Sequence, residues 1–368
     1  MSIVVRKVTS PKGIKQFHAF SRKLYASDEQ HVSHIDQDIE SIFDSKKNNS
    51  FDGGDAQRWI AYKGNEVVGK IAAFYNRVSS QSGIGFIDFI DSKDVAFALF
   101  DTGVHWLKQN GFTEVEAPVN FGERDKYWGL LVEGFKNPSY QESYNYPYYE
   151  KYFEEYGFEK IIEQTTSEAK PDDIDFDKYK KFTDRLLERG ELRAEHFRIS
   201  EMKKFVKDFT TIYNQAWEGH EHFVPFTEER VGNLFKEMKS IIREDLLWFL
   251  YDGDEPIGFY LSIIDLNQIL RYLNGSMNLW GKIKFLWYRK TVKITRVRGI
   301  IFGVIPRFHS KGVYSVLIMK MYEVMKNDPY LESSELAWIG DFNPKMHALF
   351  ESLNAKKTKV HFTFKKVF

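Results

Sequence analysis

The chain has 368 residues and no cysteine. Disulfides, thiolate zinc sites and a cysteine nucleophile are therefore excluded. Net charge is absent too: 52 Lys and Arg face 52 Asp and Glu. That balance argues against a general nucleic-acid binder, and no nucleic-acid partner is expected. No run is apolar and long enough to span a bilayer, and the first residues show no apolar signal region. The expected compartment is cytoplasmic. What is abundant is apolar and aromatic: hydrophobic residues make up 43%, with 32 Phe, 20 Tyr and 8 Trp against 28% charged residues. This is a globular composition, and the length suits two domains.

The periodicity predicts one order of elements twice. In the first half, strands are expected at 4–8, 58–62, 67–74, 84–90, 114–119 and 159–165. Helical spacing covers 13–24, 36–43, 95–109 and 148–156. In the second half, strands are expected at 193–197, 246–251, 257–264, 296–305, 335–339 and 357–365. Helices are expected at 201–217, 227–241, 313–325 and 344–353, with Thr227 as an N-cap. Two spaced copies of one order point to an internal duplication. The joint falls at 170–190, which opens with Pro171-Asp-Asp and continues as a polar helix.

The segment richest in chemistry is a strand (296–305), a turn (Pro306-Arg-Phe-His-Ser-Lys-Gly312) and a helix from Val313. A helix start offers unpaired backbone N–H groups and the positive end of the dipole. A basic, Gly-ended turn there can cradle a pyrophosphate, with Arg307, His309 and Lys311 adding charge or donors. An ordinary strand–turn–helix with a basic loop is the alternative. The segment resembles the acyl-CoA motif of the GNAT acyltransferases, roughly V-x-P-x-x-R-x-x-G-x-G before an apolar helix. Val304, Pro306, Lys311 and Gly312 fall where that motif has them. His309 stands at its usual Gln or Arg, and Tyr314 at its second small residue. Asn343-Pro-Lys-Met-His-Ala-Leu-Phe350 and Tyr152-Phe-Glu-Glu-Tyr-Gly157 resemble the late GNAT helix motif, with Phe350 and Phe153 at the tyrosine position. Beyond the superfamily, Ala117-Pro-Val-Asn120, Tyr213-Asn-Gln-Ala-Trp217 and Trp338-Ile-Gly-Asp-Phe-Asn343 resemble a group of bacterial tandem-GNAT acyltransferases.

The resemblance implies an α/β (α+β) fold of two tandem GNAT-like domains, each a mixed, mostly antiparallel twisted sheet flanked by helices. The expected organisation is an N-terminal domain at 1–170 without a phosphate turn, a linker helix at 171–190 and a C-terminal domain at 191–368 with the acyl-CoA site. The first domain has Asp91-Ser-Lys-Asp94 where a phosphate turn would be, and two aspartates at a helix start repel a pyrophosphate. The co-substrate would be acetyl-CoA or a longer acyl-CoA, held by Phe302, Gly303, Val304, Arg307, His309, Ser310, Lys311, Gly312, Val313, Tyr314 and Asn343. No metal is expected.

Acyl transfer to an amine needs a base, N–H groups that polarise the thioester, and an acid or solvent for the thiolate. His220 and His222 titrate in the right range for a base, or are surface histidines of a solvated loop. Asp341 follows a strand end and is a further catalytic candidate. Asn343 before Pro344 also reads as a helix cap. Residues 279–290 interleave aromatics with Lys and Arg. They suit a peripheral membrane contact, an acyl-chain tunnel, or an inserted helix packed on its neighbour. The expected activity is acyl-CoA-dependent N-acyl transfer to a small-molecule or lipid amine acceptor. The alternatives are long-chain transfer to a sphingoid-type base, a tRNA-dependent aminoacyl transferase, and a non-catalytic binding module.

Overall fold

The computed structural model describes residues 2–124, 126–188, 192–218 and 225–368. The first half runs β1 (Ile3–Lys7), α1 (Pro11–Leu24), α2 (Asp36–Ile42), β2 (Gly54–Lys63), β3 (Glu66–Asn76), β4 (Gln81–Phe89), α3 (Lys93–Gln109), β5 (Glu114–Ala117), β6 (Leu130–Glu133), α4 (Tyr148–Tyr156) and β7 (Glu159–Ala169). Helix α5 (Phe176–Glu188) joins it to the second half. That half runs β8 (Leu192–His196), α6 (Met202–Trp217), α7 (Glu228–Met238), β9 (Leu247–Asp252), β10 (Glu255–Ile264), α8 (Asn267–Leu270), α9 (Leu279–Thr291), β11 (Arg296–Val304), α10 (Tyr314–Asn327), β12 (Ser333–Gly340), α11 (Pro344–Ser352) and β13 (Lys356–Val367).

Local chemistry sets many of these boundaries. Ser10 caps α1, its hydroxyl accepting from the Gly13 amide at 3.2 Å ahead of Pro11 at the first helical position. Thr227 caps α7 in the same way, through the Arg230 amide at 3.2 Å, as its sequence position implies. Strand β6 and helix α8 are short and carry no periodic pattern, which is why the sequence does not announce them.

The two halves share one sheet, in the order β1-β2-β3-β4-β5-β13-β7-β12-β11-β10-β9-β8, with β6 pairing to β13. The last strand of each half sits between strands of the other. Strand β13 pairs with β5 of the first half, and β7 pairs with β12 of the second. The two exchanged strands pair antiparallel with each other at the centre. Each half therefore closes its sheet with the other half's strand, and neither has a complete ladder alone.

A buried charge network stands at this seam. The Lys359 ammonium of β13 lies 2.8 Å from Glu335 of β12 and also binds Glu142. Glu335 accepts in addition from Ser139 and pairs with Arg296 at 3.3 Å; Arg296 reaches Asp265 at 2.8 Å. Burial works to raise the Glu335 carboxyl, but Lys359 and Arg296 overcome it and hold it well below the usual range. Glu142 and Ser139 belong to the first half's long loop, so the network ties together both exchanged strands' surroundings. Lys359→Met takes the buried ammonium from Glu142 and leaves Glu335 with Arg296 alone. It should destabilise the fold by about 3–5 kcal/mol, read from urea unfolding. A loss under about 1 kcal/mol would mean that the network is solvated rather than buried.

Candidate functional site

In the second half, β11 and β12 run parallel and pair only through Arg296–Ser333, Val297–Ser334 and Arg298–Glu335. Beyond that point their ladder stops, while β11 stays tied on its other edge to β10 as far as Gly258–Val304. The Ile305 amide donates to Ile257 at 2.9 Å on the β10 side. Strand alternation therefore turns the Val304 backbone groups toward the gap. Phe302 and Gly303 precede it, and Gly303 lets the Trp217 ring approach: a Cβ there would come within 2.6 Å of it.

The gap leads into the turn expected from the sequence. Residues 306–311 form a tight helical turn, Gly312 takes φ +66°, and α10 starts at Tyr314 with buried Val313 just before it. A side chain at Gly312 would be strained. His309 folds back so that its Nε2 lies 2.7 Å from the Val304 carbonyl. Arg307 pairs with Glu255. The Lys311 ammonium sits 4.4 Å over the Phe308 ring and has no carboxylate partner among the described residues. Ser310 lies within the turn. One contact was not foreseen: Phe182 of α5 stands against Gly312, 2.6 Å from where a Cβ would be, and Thr183 bonds Ser315 of α10 at 3.3 Å. The linker helix thus packs over the start of α10.

The other expected residues lie elsewhere or in other roles. Asn343 is the cap of α11, accepting from the Met346 amide at 3.3 Å. Asp341 is exposed just beyond β12, and its amide donates to the Glu163 carbonyl at 3.0 Å. Their hydrogen bonds do not reach the turn. Phe350, at the motif's tyrosine position, is buried with Ala169, Leu336 and Ile339. His220 and His222 lie outside the described residues.

The corresponding gap of the first half is plugged. The register Gly69–Phe89 matches Gly258–Val304, and the Ile90 amide donates to Val68 as that of Ile305 does to Ile257. Phe89 is therefore the counterpart of Val304. Both its cleft-facing groups are taken by α4: its amide donates to the Tyr149 hydroxyl at 2.9 Å, and its carbonyl accepts from Tyr148 at 2.5 Å. With Phe153 and Phe350 aligned, α11 presents Lys345 and Met346 at those positions, and neither carries a hydroxyl.

The same half holds a feature the sequence reading missed. A cavity of about 80 Å³ lies between β4, the segment after β5, α1 and the loop before α2. Lys70 and Asp88 face it as a buried pair at 3.1 Å, where the second half has Phe259 and Gly303. Asp88 accepts from Ser21 at 2.7 Å and Tyr25 at 2.9 Å. His31 stacks on Tyr25 at 4.3 Å, and His34 meets the edge of Tyr127 at 4.9 Å. The available signals were two charges inside otherwise apolar strands and the spacing His31-x-x-His34.

One mixed sheet shared by two halves that exchange their closing strands is, in this chain, the setting for the fold of the tandem GNAT proteins. A tandem GNAT protein from the clavulanic acid biosynthesis pathway superposes over 100% of this chain and 98% of its own, with a TM-score of 0.57 at 9% identity. A GCN5-related N-acetyltransferase from Sphaerobacter thermophilus does so over 99% and 95%, with a TM-score of 0.53 at 9% identity. The fold implied by the motif resemblance is thereby borne out. In sequence, the chain is 26% identical to Protein YghO of Escherichia coli (strain K12) over 376 residues, 99% of this chain and 95% of that one. It is 26% identical to the bacterial ceramide synthase of Caulobacter vibrioides over 380 residues, 98% and 96% of the two chains. No family model matches the sequence.

Desolvation lowers His31 to about 4 and His34 to about 3, against 6.5 for a free imidazole. From pH 6.5 down to about 4 the unfolded chain binds protons that the folded one refuses. Stability should therefore fall with pH there, by up to about 1.4 kcal/mol per histidine per pH unit. The double variant His31→Gln/His34→Gln should flatten the fall in Tm across this window. Parallel pH profiles for variant and parent would show that the rings are not buried in the neutral form.

Proposed function

We propose that the protein transfers an acyl group from acyl-CoA to an amine, with the thioester in the gap between β11 and β12 and the pyrophosphate at the turn 306–314. The observation that carries this reading is the difference between the halves. In one, the β11–β12 ladder stops after Arg298–Glu335 and β11 runs into a Gly312 turn at a helix start, where Lys311 has no carboxylate partner among the described residues. In the other, the gap is closed by two tyrosine hydroxyls and followed by Asp91. Where β11 parts from β12, β11 amide groups would polarise the thioester carbonyl. The amine nitrogen attacks that carbon, the C–N bond forms, the C–S bond breaks, and CoA leaves as the thiolate while the nitrogen loses a proton. Phe350 is apolar and buried, so it supplies no proton to the thiolate.

Lys311→Glu combined with Gly312→Asp should abolish CoA binding in calorimetry, with a far-UV spectrum like the parent's. Undiminished affinity in that folded variant would overturn the placement. Phe182→Ala, which clears the ring from Gly312, should leave CoA binding intact or tighten it.

We infer further that the acceptor is a long-chain amine. The similarity to a bacterial ceramide synthase supports this, and so does α9. Its Leu279, Trp280, Ile283, Leu286 and Trp287 are 73%, 71%, 50%, 54% and 59% exposed. They recur at helical spacing beside exposed Lys282, Lys284, Arg289 and Lys290, with no acidic residue in the helix. Phe285 does not belong to this surface; it is buried in the second half's core and anchors the helix. Among the described residues no helix is long and apolar enough to cross a membrane. A bilayer contact would therefore be interfacial. Each ring or aliphatic chain inserted contributes about 1.5–3 kcal/mol, and each cation about 1 kcal/mol at an anionic surface. Replacing Trp280, Leu286 and Trp287 by Ser should cut binding to anionic liposomes at least tenfold and reduce palmitoyl transfer more than acetyl transfer. Equal losses with both acyl donors, and no liposome binding by the parent, would point to a small soluble amine.

A further inference from the structure

The cavity of the first half has a hydrogen-bonding imbalance that the acyl-transfer reading does not use. Both carboxylates at its wall are already served. Asp88 takes donors from Ser21, Tyr25 and Lys70, and Asp36 takes Arg22 at 2.6 Å with the His18 ring 3.6 Å away. The donors are not matched in the same way. The Lys70 ammonium offers three N–H groups and has one oxygen acceptor among the described residues, Asp88; its other close neighbour is the face of Phe17 at 4.5 Å. The His31 and His34 rings make aromatic contacts there, but their nitrogens have no hydrogen bond among the described residues. A buried donor without an acceptor is costly. Each neutral ring adds one donor and one acceptor, so the shortage of acceptors comes from the Lys70 ammonium. A cation entering it would meet carboxylates already engaged and two positive side chains. An oxyanion would meet the same two carboxylates, each already paired with Lys70 or Arg22, together with the spare N–H groups of the Lys70 ammonium and the His31 and His34 imidazoles.

The walls are held in place from several directions. The loop carrying both histidines is tied to the second half: the Asp36 amide donates to Gly275 at 2.8 Å and Arg271 donates to the Glu29 carbonyl at 2.9 Å. Phe86 and Tyr127, both lining the cavity, have φ of +47° and +51°, a conformation that costs a non-glycine residue and persists where the surroundings impose it. Tyr149, whose hydroxyl takes the Phe89 amide, forms one of the cavity walls.

We propose that this cavity is a binding site for a small molecule carrying an oxyanion, carboxylate or phosphate, gripped by Lys70 and by the His31 and His34 rings. It is independent of the acyl-CoA reading, because it lies in the half whose thioester gap is closed.

The test is calorimetric titration of the full chain at neutral pH with inorganic phosphate and, separately, with malonate, while the imidazole signals of His31 and His34 are followed by NMR. Binding of either anion at one site per chain, with both imidazole signals moving, is the expected result, and the arm that binds names the oxyanion. Lys70→Met combined with Asp88→Asn removes the ammonium together with its counter-charge and should weaken that binding at least tenfold. His34→Phe keeps a ring of similar size and should weaken it severalfold, so it carries the test if the double variant does not fold. No heat and no movement of either signal with both anions would overturn the proposal. So would binding that both variants leave unchanged, which would mean an adventitious ion only.

Discussion

The Lys359 ammonium, buried between Glu335 and Glu142, is the interaction on which the rest of the structure depends. It sits on β13, the last strand of the chain, which completes the sheet of the first half. Its partner Glu335 is on β12, beside the first half's β7. A buried cation is tolerated only where carboxylates meet it, so this pairing specifies which strand lies at the seam. The exchange then fixes everything downstream. It places the first half's loop 134–147 against β11, where Arg298 donates to the Tyr140 carbonyl at 2.8 Å.

One backbone arrangement, present in both halves, supports two different clefts. The registers Gly69–Phe89 and Gly258–Val304 are equivalent, yet their side chains differ in kind. Lys70 and Asp88 make one cleft polar, and the hydroxyls of Tyr148 and Tyr149 take up its strand edge. Phe259, Gly303 and Trp217 make the other apolar, with the Trp217 and Phe259 ring planes only 11° apart. An apolar, aromatic cleft suits an acyl group. One lined by Lys70, Asp36, Asp88, His31 and His34 suits a small charged molecule.

Motifs built from neighbouring residues were legible because their physics is local. The Pro306–Gly312 turn, the Thr227 and Asn343 caps and the helix at 279–290 all depend on residues within a few positions of one another. The amphipathic segment was recognisable by composition, but which of its rings face outward was not: Phe285 turns into the core while Trp280 and Trp287 remain outside. The placement of Phe182 on Gly312 was equally invisible, since 130 positions separate two residues brought together only by α5 packing on α10.

The sequence by itself determined the element order, its repetition, the absence of thiol chemistry and the strand–turn–helix with Gly312. Each follows from periodicity, composition or backbone restriction along a short stretch. Only the tertiary structure decided which strand closes which half, that Tyr149 reaches the Phe89 amide, and that Lys70, Asp88, His31 and His34 share a cavity. Those outcomes depend on burial and on contacts between distant segments. A lysine within an apolar strand reads the same in sequence whether it reaches solvent or a buried carboxylate, and only packing tells the two apart.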